Sequence, residues 1–199
     1  MIKGINMNFS TKLFSATFLA AALSTQLTAC IPVIIGGAAA GGAMAADRRT
    51  SGIYVEDENI ELKASKSIED AVGEEGHVNI TSYNRNVLLT GEVPNEAGKK
   101  RVETITKEIA NVRSVTNELA VMPRTSVSSR GNDAYLTSKV KAKFVADGRF
   151  PANVVKVVSE NSVVYLMGIV SHAEAQYATE IASNTEGVSK VVKVFEYTN

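Results

Sequence analysis

Residues that carry chemistry are scarce in this chain: one cysteine and two histidines among 199 residues. A single thiol excludes an intramolecular disulfide framework, and an unpaired cysteine in an exported protein needs its own explanation. His77 and His172 lie far apart in sequence. Neither has a cysteine or a second histidine at ligand spacing, so no metal site is expected and both are read as solvent-facing. Charge of one sign is also missing, with 21 basic and 21 acidic residues, so bulk charge points to no nucleic-acid partner. Glycine-rich phosphate loops, nucleophile elbows and basic-aromatic RNA platforms are absent. The acidic run from Asp57 to Glu75 lacks the D-x-D-x-D-G pattern of a calcium loop and is read as a solvated helix face. No catalytic residue is expected, and the chain is read as non-enzymatic.

The long apolar runs are confined to the first part of the chain. Lys3 and Lys12 precede an apolar stretch, Leu13 to Leu23, and Leu27-Thr28-Ala29-Cys30 follows it. That order of charge, apolar run and small residues is a secretory signal, assigned to residues 1–29. The cysteine directly after two small residues has the form of a bacterial lipobox. Cys30 is thus the expected lipid-attachment residue, with a diacylglyceryl thioether on its sulfur and an N-acyl group on its freed amine, and no other cofactor is expected. Two or more acyl chains hold a protein stably on a bilayer where one does not. By analogy with enterobacterial sorting, Ile31 in place of an aspartate favours the periplasmic face of the outer membrane. Residues 31–46 are apolar but short for a membrane span of about 20 residues, and Pro32, Gly36, Gly37, Gly41 and Gly42 interrupt them. Residues 30–56 are therefore read as a flexible tether.

The rest of the chain repeats itself. Residues 77–93 (HVNITSYNRNVLLTGEV) and 154–170 (VVKVVSENSVVYLMGIV) superpose after a shift of 77 positions, with Gly91 on Gly168. Apolar and polar residues alternate on both sides of a polar break, which predicts a hairpin with one face buried. Asn95 and the Ser171-His172-Ala173-Glu174 capping box then open a helix in each copy. A β-rich run closes each, Val112 to Val121 and Val188 to Tyr197. A helix opens each, Asp57 to Gly73 and Asp133 to Gly148. The expected fold is α+β: two αββαβ units at 57–122 and 133–199, each a small mixed sheet covered by two helices, joined by a polar linker at 123–132. The mid-strand glycines are read as points of close backbone approach.

The ordered set of opening helix, V-x-V hairpin, Val163-Val164-Tyr165-Leu166-Met167-Gly168-Ile169-Val170 strand, Ala-rich helix and Gly187-Val188-Ser189-Lys190-Val191 closing strand resembles the BON domain family. The first copy departs at Asn111-Val112-Arg113-Ser114-Val115, which has no glycine. A lipobox followed by two such units resembles the dual-BON outer-membrane lipoproteins. The resemblance implies a non-enzymatic envelope protein that supports outer-membrane integrity and binds anionic phospholipid through the opening helix of its second unit. It also implies the alternative of an interaction scaffold for the outer-membrane protein assembly machinery.

The two opening helices differ in charge. Residues 57–75 carry seven acidic and two basic side chains, whereas 133–149 carry two acidic and four basic. A negatively charged bilayer repels the first and attracts the second. At about 100° per residue Leu136, Val140 and Phe144 form the core stripe of the second helix. Tyr135, Lys139, Ala142 and Arg149 lie on another, with Lys143 between and Val145 on the far flank. These six are the expected lipid-binding residues.

Overall fold

A computed structural model describes residues 47–73 and 76–198. Cys30 and the signal and tether residues up to 46 lie outside them. The element order is α1 (Ser51–Val72), β1 (His77–Tyr83), β2 (Asn86–Val93), α2 (Glu96–Glu108), β3 (Ser114–Asn117) and β4 (Ala120–Val121) in the first unit. The second unit has α3 (Val127–Asp147), β5 (Val155–Glu160), β6 (Val163–Val170), α4 (His172–Ser183) and β7 (Lys190–Tyr197), with a 3-10 turn at Ala152–Val154. Each hairpin is antiparallel, and the closing strand returns through a helix to lie parallel to the hairpin's second strand. That return is the helical crossover that parallel pairing requires.

The register reproduces the sequence shift. Val78 pairs with Gly91 and Val155 with Gly168. At both sites a side chain is impossible for the same reason: a Cβ on Gly91 would lie 2.0 Å from the His77 carbonyl oxygen, and one on Gly168 2.4 Å from that of Val154. The two sheets, β1-β2-β3 with β4 and β5-β6-β7, remain separate.

Both opening helices begin earlier than expected, in residues assigned to tether and linker. Thr50 caps the Ile53 amide and Ser126 that of Ser129, so α1 and α3 each gain more than a turn upstream of the aspartate expected to open them. Gly52 and Gly131, each costing a helix about 1 kcal/mol relative to alanine, mask this extension in the sequence. Asp57, expected on a solvated face, is 2% exposed, and Asp133 is 5% exposed. Each reaches the tip of its unit's hairpin. Asp57 accepts from the amides of Asn84 (2.8 Å) and Arg85 (2.7 Å), and Asp133 from those of Asn161 (3.0 Å) and Ser162 (2.9 Å). The four turn residues all have positive φ, between 50° and 65°, as a two-residue type I′ turn demands.

The missing glycine of the first copy has a similar answer. Asn111 adopts φ 71° where Gly187 has 97°, and asparagine tolerates this left-handed region better than most residues. The first closing strand is also broken: Asn117 turns its side chain to the Leu119 amide and the Lys99 carbonyl, and pairing resumes only at Ala120.

Each unit has its own core. Ile60, Ala64 and Ile68 of α1 meet Val87, Leu89 and Val93 of β2 and Val102 of α2. In the second unit Leu136, Val140 and Phe144 meet Val164, Leu166 and Val170, with the small stripe Ala175, Ala178 and Ala182 of α4 against them. The expectation of one buried sheet face is corrected. A third cluster, Tyr83 and Leu88 with Tyr165 and Met167, fills the space between the helix-free faces of the two sheets. The central strands are thus covered on both faces, which is why β6 reads as a nearly unbroken apolar run. Around this contact Lys156 pairs with Glu61 (3.0 Å), Arg113 with Glu196 (3.2 Å) and Asn79 donates to Glu160 (2.7 Å). Arg48, ahead of α1, forks onto Glu174 of α4 with two contacts of 2.7 Å.

Candidate membrane-contact surface

Helix α3 is fixed by its buried stripe Leu136, Val140 and Phe144, so its other side chains have determined directions. Opposite the core lies a ridge made by Tyr135, Ser138, Ala142 and Val145, all exposed. Tyr135 is 65% and Val145 72% exposed, large values for an aromatic and a β-branched residue. From Ala134 to Ala146 the helix contains no acidic residue.

Lysines flank the ridge. Lys139 lies on the α4 side, where its Nζ donates to the Glu186 carbonyl (3.1 Å) and pairs with the Glu186 carboxylate (3.2 Å). Lys143 donates to the Asn184 carbonyl (3.0 Å). Both therefore sit at the C-terminal end of α4, whose carbonyls and dipole favour cations. Their ammonium groups are tethered at the rim of the ridge rather than extended from it. Lys141, exposed on the opposite flank, was not among the residues expected to bind lipid. It borders a cleft of ≈470 Å³ with Val145, Ala152, Tyr54 and Arg49. Spacing alone could have found Lys141, since it brackets the ridge as Lys143 does. Tyr54 needed the packing of the two units.

Arg149 is differently placed. Its guanidinium pairs with Asp147 (2.7 Å) and Glu180 (3.2 Å) and lies 4.5 Å from the centre of the Tyr177 ring. Those two carboxylates hold its proton more tightly than in a free side chain and cancel its charge locally. Of the six expected residues, the structure gathers Tyr135, Ala142 and Val145 on one ridge with Lys139 and Lys143 along its edge, and engages Arg149 at the end of the helix.

The acidic opening helix also exposes apolar side chains, Val55 at 53% and Leu62 at 71%. Charge, not apolar exposure, separates the two. Among the described residues no helix is long and apolar enough to cross a membrane.

Two αββαβ units, each with a glycine that admits a neighbouring backbone and an aspartate that caps its hairpin, define a tandem-module α+β protein. The BON domain family matches residues 56–123 and 132–199, and the chain belongs to that family. It is 43% identical over 173 residues to the outer membrane lipoprotein DolP of Haemophilus influenzae, covering 86% of this chain and 90% of that one. A 21 kDa hemolysin of Actinobacillus pleuropneumoniae is 33% identical over 76% of this chain and 79% of its own length. The osmotically-inducible protein Y of Escherichia coli is 30% identical over 70% and 72%. These likenesses place the chain among the outer-membrane lipoproteins of the BON family, anchored by lipid.

Proposed function

We propose that this lipoprotein binds anionic phospholipid through α3 of its second unit and, in doing so, supports the integrity of the outer membrane without catalysing a reaction. The observation that carries this reading is the ridge of Tyr135, Ala142 and Val145, exposed on a helix with no acidic residue between Ala134 and Ala146 and rimmed by Lys139, Lys141 and Lys143. An amphipathic aromatic, small residues that let the helix lie close, and cations at headgroup level are the ingredients of an interfacial surface. Acyl chains on Cys30 would hold the chain at the bilayer, so even a weak second contact acts at high local concentration.

The test uses protein lacking the leader, with Cys30 replaced, and vesicles of phosphatidylglycerol. Each lysine near an anionic surface contributes about 1 kcal/mol, so Lys139→Glu together with Lys143→Glu should weaken binding by more than about tenfold. Wild-type binding should fall with salt, since attraction is screened beyond about 10 Å at 0.1 M. Tyr135→Ala should weaken it with less salt dependence. Lys63→Glu with Lys66→Glu on α1 is the matched control and should change little. Circular dichroism must show each variant folded, because Lys139 and Lys143 also hold the end of α4. Unchanged binding by the folded Lys139→Glu/Lys143→Glu protein would overturn this reading in favour of a scaffold for the assembly machinery.

A further inference from the structure

Between the two sheets, away from α3's outer ridge, three potential metal ligands converge. His77 opens β1, Glu92 lies near the end of β2 and Glu160 ends β5. One ligand atom from each lies within 4.8 Å of the other two. Glu92 is fully buried and Glu160 is 5% exposed, so this is no loose surface cluster. The Nδ1 of His77 is buried without a hydrogen-bond partner, 3.7 Å from a Glu92 oxygen. That distance is too long for a hydrogen bond. His77 was expected to face solvent; its side chain is 18% exposed instead.

Neutral donors reach both carboxylates. Glu92 accepts from Asn161 Nδ2 (2.8 Å) and from the amide and hydroxyl of Thr125 (3.3 and 3.2 Å), and Glu160 from Asn79 Nδ2 (2.7 Å). Burial, together with the nearby Glu92 and Asp133 charges, raises the Glu160 pKa. Burial and the Arg130 and Arg124 charges lower that of His77, with Glu92 acting the other way.

We infer that His77 Nδ1, Glu92 and Glu160 form a binding site for one divalent transition-metal ion of the zinc class, clamping the first unit to the second. A mixed nitrogen and oxygen donor set suits zinc, whereas magnesium and calcium take oxygen-rich shells of six or more ligands. Zinc bonds of about 2.0–2.2 Å in a tetrahedron separate ligand atoms by about 3.3 Å. The 3.7 Å pair is already close to this, and rotation of the glutamate side chains closes the rest. Water completes the fourth position. It and the ion have a route in, because a cleft of ≈330 Å³ is lined by His77, Arg130, Asp133, Ser159 and Glu160. The duplication supplies a comparison: the positions equivalent to His77, Glu92 and Glu160 are Val154, Ile169 and Tyr83. The fold itself accepts apolar residues there, so the polar trio is not a requirement of the BON framework.

The experiment uses the full lipidated protein in detergent, stripped with a chelator and titrated with zinc chloride against a chromogenic competitor. Nitrogen-15 spectra of the histidines report the ligand directly, since His172, exposed and stacked on Tyr197 at 4.3 Å, is an internal reference. One zinc per chain should bind, the His77 Nδ1 resonance should move while those of His172 stay, and the melting temperature should rise with zinc. His77→Gln and Glu160→Gln should each weaken binding at least tenfold and abolish the thermal shift. If His77→Gln fails to fold, Glu160→Gln and the wild-type spectra still decide. The proposal is overturned if wild type takes up no stoichiometric zinc, if a folded variant binds as wild type does, or if the His77 resonances do not respond.

Discussion

The two hairpin-capping aspartates occupy equivalent places but different electrostatic settings, and their removal should expose the difference. Asp57 accepts from two turn amides, from Ser82 Oγ (2.7 Å) and from Arg49 (2.8 Å). The Arg49 side chain is only 8% exposed and is stacked 4.1 Å from the centre of the Tyr83 ring. Asp57→Ala therefore leaves two amides of a tight turn without their acceptor and a buried guanidinium with Asp47 alone. Breaking one partner of a buried pair costs about 3–5 kcal/mol. Asp133→Ala removes the acceptor of the two corresponding amides but strands no arginine, and unsatisfied donors that can partly reach water cost about 2 kcal/mol together. The expected gap is about 2 kcal/mol in favour of the Asp133 variant, or about 1 M in urea midpoint for a slope near 2 kcal/mol/M. Urea unfolding followed by circular dichroism measures the totals. Hydrogen exchange at Asn84 and Arg85 against Asn161 and Ser162 locates them. Equal losses in the two variants would show that the Arg49 pair adds nothing, and negligible loss in both would refute the capping role.

Cys30→Ala should block lipid attachment, so incorporation of labelled fatty acid by that variant would overturn the lipobox reading. The Arg48 fork, aided by burial-opposed hydrogen bonds from Ser171, holds Glu174 at a pKa of about 2 against an ordinary 4.5. Because this folded-state value is depressed, the stabilisation is present above about pH 4.5 and is lost as pH falls toward 2. At 1.36 kcal/mol per unit the shift would be about 3 kcal/mol; Arg48 is a third exposed, and screening reduces the expectation to about 1–2 kcal/mol. Glu174→Gln keeps a residue able to complete the capping box but removes the ion pair, so its stability at neutral pH should drop by that amount while its acid limb flattens. An unchanged acid limb, read by thermal melts between pH 2 and 5, would show that the Arg48 pair is inert.

Local signals made the unit order, the hairpin register and the helix caps at Asn95 and Ser171 legible, because each is set by residues within a few positions of one another. The core stripe of α3 followed from helical periodicity, and its outer ridge followed from the core stripe. Tertiary burial was not legible. Alternation in 77–93 reads as one wet face, yet Leu88 is buried against Tyr165 and Met167 of β6, and Glu92 is buried where Asn161 of the other unit's hairpin turn and Thr125 donate to it. The adjacent leucines at 88 and 89, and the run Tyr165-Leu166-Met167, carried that information as apolar residues on both faces. Asp57 was lost in an acidic run because only its reach to a turn 27 residues away distinguishes it from Glu58. The early helix starts were hidden by glycines that propensity penalises and that Thr50 and Ser126 outweigh.

Duplication makes each unit a control for the other. Features shared by both, the aspartate on the turn, the glycine under a carbonyl and the left-handed residue before the closing strand, answer demands of backbone geometry and carry no information about a partner. Features found in one unit only cannot be such demands, since the other unit folds without them. The opening helices meet that criterion through charge: both leave apolar side chains in water, with Leu62 at 71% and Val145 at 72%, but only α3 surrounds them with cations. Apolar area alone would give both helices the same affinity for a bilayer. In the proposed lipid-binding function, the sign of the surrounding charge, worth about 1 kcal/mol per residue at an anionic surface, is what would select the second unit.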